Sequence, residues 1–289
     1  MSSTKERVGV VGAGLMGAEI ALVFALAGHD VVLADRAAGV VTAALDRVRA
    51  LLDKGVARGL YKEEEKALLG GIAGTVDLER FGDRDVVIEA VFEDAAVKAE
   101  VWRALDRICP PPCLFASNTS SIAISTLASF VQPERRPRFI GTHYFSPVSR
   151  MKLVEIIPAF ETAESTVETM TRLCLEIGKT PIRVKDVVGF AVNRLLHALV
   201  IEAVRLVEEG VATPEDIDAA CRLGLGHAIG PFELLDITTS SLSLQVHEIL
   251  MEAYGERFRP PALLKQMVKA GYVGRKAGKG WRRDAGAKR

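Results

Sequence analysis

Two stretches of this 289-residue chain hold side chains able to move a proton between them. "GTHYFSPV" (141–148) puts His143 at the end of an apolar, strand-like run, and "KLVEIIP" (152–158) places Glu155 inside the next one. Histidine is the side chain whose ordinary protonation equilibrium lies near neutral pH, which suits it to acid/base work. A carboxylate inside an apolar strand needs a partner, because an unpaired buried charge is costly. Set against an imidazole, it fixes the ring tautomer and stabilises the imidazolium that forms on proton transfer. Lys152 or Arg183 are alternative partners for Glu155, and a lone strand-end histidine is more often structural than catalytic.

A second chemistry lies near the N-terminus. Residues 7–11 form a β-branched run, and "GAGLMG" follows with Gly12, Gly14 and Gly17 in GxGxxG spacing. Gly12 permits the tight turn, Gly14 lets a pyrophosphate approach the backbone, and Gly17 lets helix and strand pack closely. Residues 15–26 read as a helix whose first N–H groups, at Leu15 and Met16, face the phosphates. "DVVLAD" then ends at Asp35, placed to accept from both ribose hydroxyls. Asp35 repels a 2′-phosphate, so the expected cofactor is NAD rather than NADP, although Arg36 is adjacent.

The elements that must position these groups follow from periodicity. Residues 38–54 carry a helical apolar stripe, 85–91 ("DVVIEAV") a near-continuous apolar strand, 95–108 a helix and 113–118 another strand. Such alternation predicts a Rossmann-type doubly wound, mostly parallel α/β sheet, with ligands beyond the carboxyl ends of its strands. Glu89, Glu93, Lys98, Asn118 and the rest of "SNTSS" (117–121) are therefore expected along the cofactor crevice. Ser, Thr and Asn are also common helix caps, so which hydroxyl faces the crevice stays open. From about residue 187 strand signals stop. Helices are expected at 190–209, 214–223, 232–254 and 262–270, a smaller all-α domain at 187–289 behind an NAD-binding domain at 1–186. Asn193 falls in the first turn of the first of these helices, where an amide can cap or can point at a ligand. "LDKGVARGLYKEEEK" offers Lys54, Arg58, Lys62 and Lys66, which read equally as a solvated face balanced by 63–65.

Composition narrows the class. Lys plus Arg and Asp plus Glu both number 37, which excludes the basic excess of a general nucleic-acid binder. Four scattered cysteines show no zinc spacing, so no metal is expected, and they read as reduced thiols. No signal-like apolar segment opens the chain, and 187–207 is interrupted by Arg194, His197, Glu202 and Arg205. A cytoplasmic protein off the membrane is expected.

Taken in order, "VGVVGAGLMGAEIALVFALAGHDVVLAD", "SNTSS", "GTHYFSPV", "MKLVEII", "VVGFAVNRLL", "EEGVATPEDIDAACRLGLGHAIGPFELLD" and "GRKAGKGW" resemble the L-3-hydroxyacyl-CoA dehydrogenase family nearly end to end. The resemblance implies that His143 is the acid/base and Glu155 the carboxylate that orients it. It gives Ser120 the substrate's reacting oxygen and Asn193 a part in positioning the substrate. It places coenzyme A near the "LDKGVARGLYKEEEK" arm, with Lys54 the best single candidate for a phosphate or thioester-arm contact, makes the substrate an acyl-CoA, and implies a homodimer through the helical domain. Two departures stand out: Ser146 replaces the Asn usual before the proline, and "ITTSSLSL" lacks the usual glycine and aspartate. Rival readings are a dehydrogenase of a free hydroxy acid or sugar acid, and a catalytically silent NAD-binding structural protein.

Overall fold

The computed structural model describes residues 5–282, and the chain divides between Val187 and Val188 into two compact units. In the first unit β1 (Arg7–Val11), β2 (Asp30–Ala34), β3 (Ile72–Thr75), β4 (Val86–Glu89), β5 (Leu114–Ser117), β6 (Phe139–Tyr144), β7 (Leu153–Pro158) and β8 (Thr180–Arg183) form one sheet. Their order is β3-β2-β1-β4-β5-β6-β7-β8. All neighbours are parallel except β6 and β7, so the last two strands run against the rest. This is the mostly parallel doubly wound α/β sheet expected.

The connecting helices are α1 (Leu15–Leu26), α2 (Ala38–Ala57), α3 (Ala95–Ile108), α4 (Ile124–Ala128) and α5 (Glu164–Glu176). Every residue of α1 from Gly17 to Ala25 is buried, which explains why its sequence shows an apolar block rather than an amphipathic stripe. β4 and β5 are buried at every position, as strands covered on both faces must be. Three elements lacked a readable signal: β3 and β8 span only four residues each and are largely exposed, and α5 mixes its apolar positions with Thr and Glu.

The second unit holds α6 (Val192–Glu208), α7 (Pro214–Gly224), α8 (Pro231–Thr238), α9 (Ser240–Tyr254) and α10 (Ala262–Lys269). Its core gathers Val200, Val204, Phe232, Leu235, Leu264 and Trp281. The helix expected to begin near residue 190 starts at Val192, because Gly189 and Phe190 both take positive φ. The expected single helix over 232–254 is two. Thr239 breaks it with φ 101° and ψ 135°, so α8 stops and α9 restarts with the Thr239 hydroxyl accepting from Leu242 N at 3.3 Å. A β-branched residue rarely takes that conformation, and glycine takes it readily.

Thr239 lies in the stretch where the sequence lacks the glycine usual among its look-alikes. Strain of this kind costs roughly 1–3 kcal/mol. Glycine at a cap position loses only a few tenths of a kcal/mol, about, and unfolded-chain entropy takes back ~0.5–1 kcal/mol. Thr239→Gly is therefore expected to stabilise the protein by about 1 kcal/mol, read as a higher urea midpoint at unchanged slope. A lower midpoint would mean that the turn is unstrained.

Among the described residues no helix is long and apolar enough to cross a membrane.

Candidate functional site

The glycine-rich turn is dictated by steric limits that the structure makes explicit. Gly12 has φ 101°, and a Cβ there would lie 2.5 Å from the Ala90 carbonyl oxygen. A Cβ on Gly17 would lie 1.8 Å from the Gly12 carbonyl oxygen, so helix and turn meet only through glycine. Gly14 differs, since a Cβ would meet no protein atom within 4 Å. Its smallness answers no need of the protein's own packing, which fits a backbone approached by a ligand. The first turn of α1 has no side-chain cap and no acidic residue, leaving its N–H groups and partial positive charge for phosphate. Leu15 is half exposed there and Met16 is partly buried against the core. Asp35 stands just past β2, fixed by the Ala13 N–H donated to its Oδ2 at 2.8 Å, with Arg36 exposed beside it. These residues fit NAD.

One brace of this turn was not legible beforehand. Arg47 of α2 donates Nη2 to the carbonyls of Ala13 and Gly14 at 3.2 and 3.3 Å. The available signal was its place two helical turns before Lys54, on the same face.

The ends of β4 and β5 carry a charged network. Glu89, expected along the crevice, is wholly buried instead: its Oε1 accepts from Val91 N at 2.8 Å and Lys98 Nζ at 2.6 Å, and its Oε2 accepts from Ser117 Oγ at 2.7 Å. Lys98 is itself 1% exposed and reaches Glu93 Oε2 at 3.3 Å, so its charge acts on the crevice through Glu93. The other oxygen of Glu93 gathers the turn that follows β5. It accepts from Thr119 Oγ1 at 2.6 Å, from the N–H groups of Ser120 and Ser121 at 2.8 Å each, and from Ser121 Oγ at 2.9 Å. The Ser120 hydroxyl lies at 3.4 Å from the same oxygen. Burial alone would raise the Glu93 carboxyl pKa, but the Lys98 charge and these donors together hold it below the ordinary glutamate value. Asn118 accepts the Tyr144 N–H on Oδ1 at 2.9 Å, tying this turn to the strand that carries His143.

His143 and Glu155 are brought together by strand register. They are directly opposed residues of the antiparallel β6–β7 pair, with His143 Nδ1 2.7 Å from Glu155 Oε2. Glu155 is fully buried and His143 is 6% exposed, its ring packed on Phe145 at 4.5 Å between centroids. Of the alternative partners, Arg183 pairs with Glu164 at 2.8 Å and Lys152 is exposed. With Nδ1–H donated to the carboxylate, the basic lone pair of a neutral ring is on Nε2.

The remaining candidates lie apart in the chain. Asn193 is in the first turn of α6, half-buried, its carbonyl bonded to His197 Nδ1 at 2.8 Å. Lys54 is exposed in the last turn of α2, while nearby Lys66 is held by Asp53 and Glu63 at 2.9 and 3.0 Å.

Comparison with known proteins identifies the family and the fold. Residues 7–187 match the model for the 3-hydroxyacyl-CoA dehydrogenase NAD binding domain, and 189–284 match that for the 3-hydroxyacyl-CoA dehydrogenase C-terminal domain. A 3-hydroxybutyryl-CoA dehydrogenase of Mycobacterium tuberculosis is 40% identical over 286 residues, covering 97% of this chain and 99% of that one. The crystal structure of (S)-3-hydroxybutyryl-CoA dehydrogenase from Ralstonia eutropha superposes with TM-score 0.91 at 38% identity, covering 96% of this chain and 98% of that one. A 5-formyl-3-hydroxy-2-methylpyridine 4-carboxylic acid 5-dehydrogenase, an NAD+-dependent dismutase, is similar at TM-score 0.74 and 30% identity, covering 98% of this chain and 93% of that one. Built on this sheet and matched across both units, the chain belongs to the 3-hydroxyacyl-CoA dehydrogenase family.

Proposed function

We propose that the chain catalyses the reversible, NAD-dependent oxidation of an L-3-hydroxyacyl-CoA, 3-hydroxybutyryl-CoA foremost, to the 3-ketoacyl-CoA. The observation that carries the proton chemistry is the in-register pair of His143 and Glu155 at 2.7 Å. When bound, NAD+ supplies the hydride acceptor. His143 Nε2 takes the proton from the substrate's hydroxyl and returns it to the ketone oxygen in the reverse direction. A positioned base of this kind contributes roughly 10²- to 10⁴-fold. Glu155 keeps the Nδ1 proton in place and stabilises the imidazolium while the proton is held. Ser120, fixed by the carboxylate of Glu93, hydrogen-bonds the reacting oxygen, and Asn193 steadies the substrate. Lys54 meets a phosphate of coenzyme A.

The first unit binds the cofactor, and the helical unit serves the substrate and joins two copies of the chain. Leu195, Val211, Leu223 and Leu225 are exposed apolar side chains of that unit, the kind of surface that association covers. A cytoplasmic setting belongs to the same reading, supported by four buried cysteines with no disulfide among them.

A second reading, oxidation of a free hydroxy acid or sugar acid, draws on the likeness to a dehydrogenase whose named substrate carries a carboxylic acid and no coenzyme A. Acetoacetyl-CoA and free acetoacetate, each offered with NADH, separate the two. Loss of NADH absorbance with the thioester alone is the expected result. Turnover of the free acid alone would favour the second reading, and turnover of neither by protein that still binds NADH would leave an NAD-binding protein without this activity.

A further inference from the structure

The loop that leads from the His143 strand to the Glu155 strand is gripped by two buried ionised side chains that the chemistry above does not use. Glu19 lies in the buried run of α1, 5% exposed, and its Oε2 accepts the Ser149 N–H at 2.8 Å. Lys179, in the turn between α5 and β8 and 7% exposed, donates its ammonium to the carbonyls of Val148 and Met151, the latter at 2.9 Å. Three successive anchor points of one loop, Val148, Ser149 and Met151, are thus taken by a carboxylate and an ammonium from two different elements. Burial lowers the Lys179 pKa, while the charge of Glu19 acts in the opposite direction. Isolated charges are not kept at such depth without partners, and each of these finds backbone groups of the same loop and an opposite charge nearby.

Placement gives the clamp its meaning. Glu19 is two residues beyond Gly17, so the helix whose N-terminus faces the phosphates also holds the loop behind the base. Glu19 is four residues on from Leu15, about 6 Å along the axis. We propose that Glu19 and Lys179 are positioning residues that register the His143–Glu155 hairpin against the cofactor-binding helix. The proposal rests on the reading of His143 and Glu155 as the acid/base pair. A misplacement of ~1 Å at a reacting centre costs as much as ~10²-fold in rate, so a clamp on the hairpin acts on kcat rather than on cofactor affinity.

Glu19→Ala, Glu19→Gln and Lys179→Met test it, with kcat, KM and the pH dependence of kcat measured beside the NADH dissociation constant. The alanine and methionine variants are expected to lose about ten- to a hundredfold in kcat with NADH binding intact. Glu19→Gln keeps an acceptor for the Ser149 N–H at the same reach and is expected to recover most of the rate. If either single change leaves a lone buried charge that prevents folding, the double variant Glu19→Gln with Lys179→Met removes both charges. It keeps the Ser149 bond, loses both carbonyl bonds, and is expected to match the kcat loss. Variants that melt earlier yet keep the parental kcat and pH profile overturn the clamp. A His143→Ala control separates the two ideas: full turnover by that control removes the underlying reading, whereas an inactive control beside fully active clamp variants removes the clamp alone.

Discussion

Glutamine in place of Glu155 is expected to lower kcat by about 10²- to 10⁴-fold, with NADH binding unchanged. The substitution is isosteric, and the β6–β7 register holds residue 155 opposite His143 whatever its chemistry. A carboxylate can only accept, so it keeps the ring proton on Nδ1 and the lone pair on Nε2. An amide can turn its NH2 toward Nδ1, which then accepts, and the proton moves to Nε2. The nitrogen meant to take the substrate's proton is then already protonated. The imidazolium also loses the Glu155 counter-charge in a site where that charge counts for more than in water. Steady-state kinetics across pH, with NADH fluorescence titration as control, measures the effect. A variant retaining a third or more of the parental kcat would show that Glu155 is a buried structural acceptor and would leave His143 to act without it.

The second large effect is on stability. His247 is wholly buried in the helical unit, its Nε2 3.2 Å from the His197 carbonyl and its ring edge-on to the His197 ring at 4.8 Å. Burial first, and the neighbouring His197 second, push its pKa down to about 4, and burial pushes His197 down as well. A histidine whose folded pKa lies below its unfolded value binds fewer protons when folded. Its favourable contribution is therefore complete above the unfolded value of ~6.5 and is lost as pH falls from there toward about 4. At ~1.4 kcal/mol per pKa unit, the full loss is about 3 kcal/mol for His247. Asp218 and Asp236 in the same unit work the other way, because burial raises their pKa values and acid relieves them.

The wild-type pH curve therefore mixes opposing contributions, and the informative comparison is with His247→Gln. The chain has two tryptophans, Trp102 in the first unit and Trp281 in the core of the second. In a Trp102→Phe background, fluorescence reports the helical unit alone. Its urea midpoint is expected to fall steeply between pH 7 and 4, and the His247→Gln substitution is expected to flatten that fall. Equal slopes with and without His247 would show that its ring reaches water before the helices part.

The parts of the site that were legible are those written in local pattern. Gly12, Gly14 and Gly17, the helix after them and Asp35 lie within one strand–turn–helix–strand unit, and each answers a steric or charge demand that spacing alone expresses. His143 and Glu155 were legible as groups needing partners. That they partner each other, rather than Glu155 with Lys152 or Arg183, depends on antiparallel register between strands joined by an eight-residue loop, a non-local fact. Glu93, just past a strand end, and Lys98, in the helix that follows, were expected beside the cofactor. Their mutual pairing, and the gathering of Thr119 to Ser121 around one carboxylate oxygen, arise only once β4, α3 and β5 pack side by side. Glu19 was invisible for a different reason, since a single acid in an apolar helix looks like an exposed residue until the helix proves buried all round. The break at Thr239 carries no glycine or proline to announce it, so propensity ran the helix through.

The order in which the sheet is laid down also bears on how the protein is made. Counting outward from β1, each strand joins an edge that earlier residues have already built: β2 and β3 on one side, then β4 through β8 in turn on the other. A chain emerging N-terminus first never holds a strand waiting for a partner still to be synthesised. The glycine-rich turn and Asp35 are in place once β1 and β2 have paired, whereas His143 and Glu155 meet only once β7 has come down against β6.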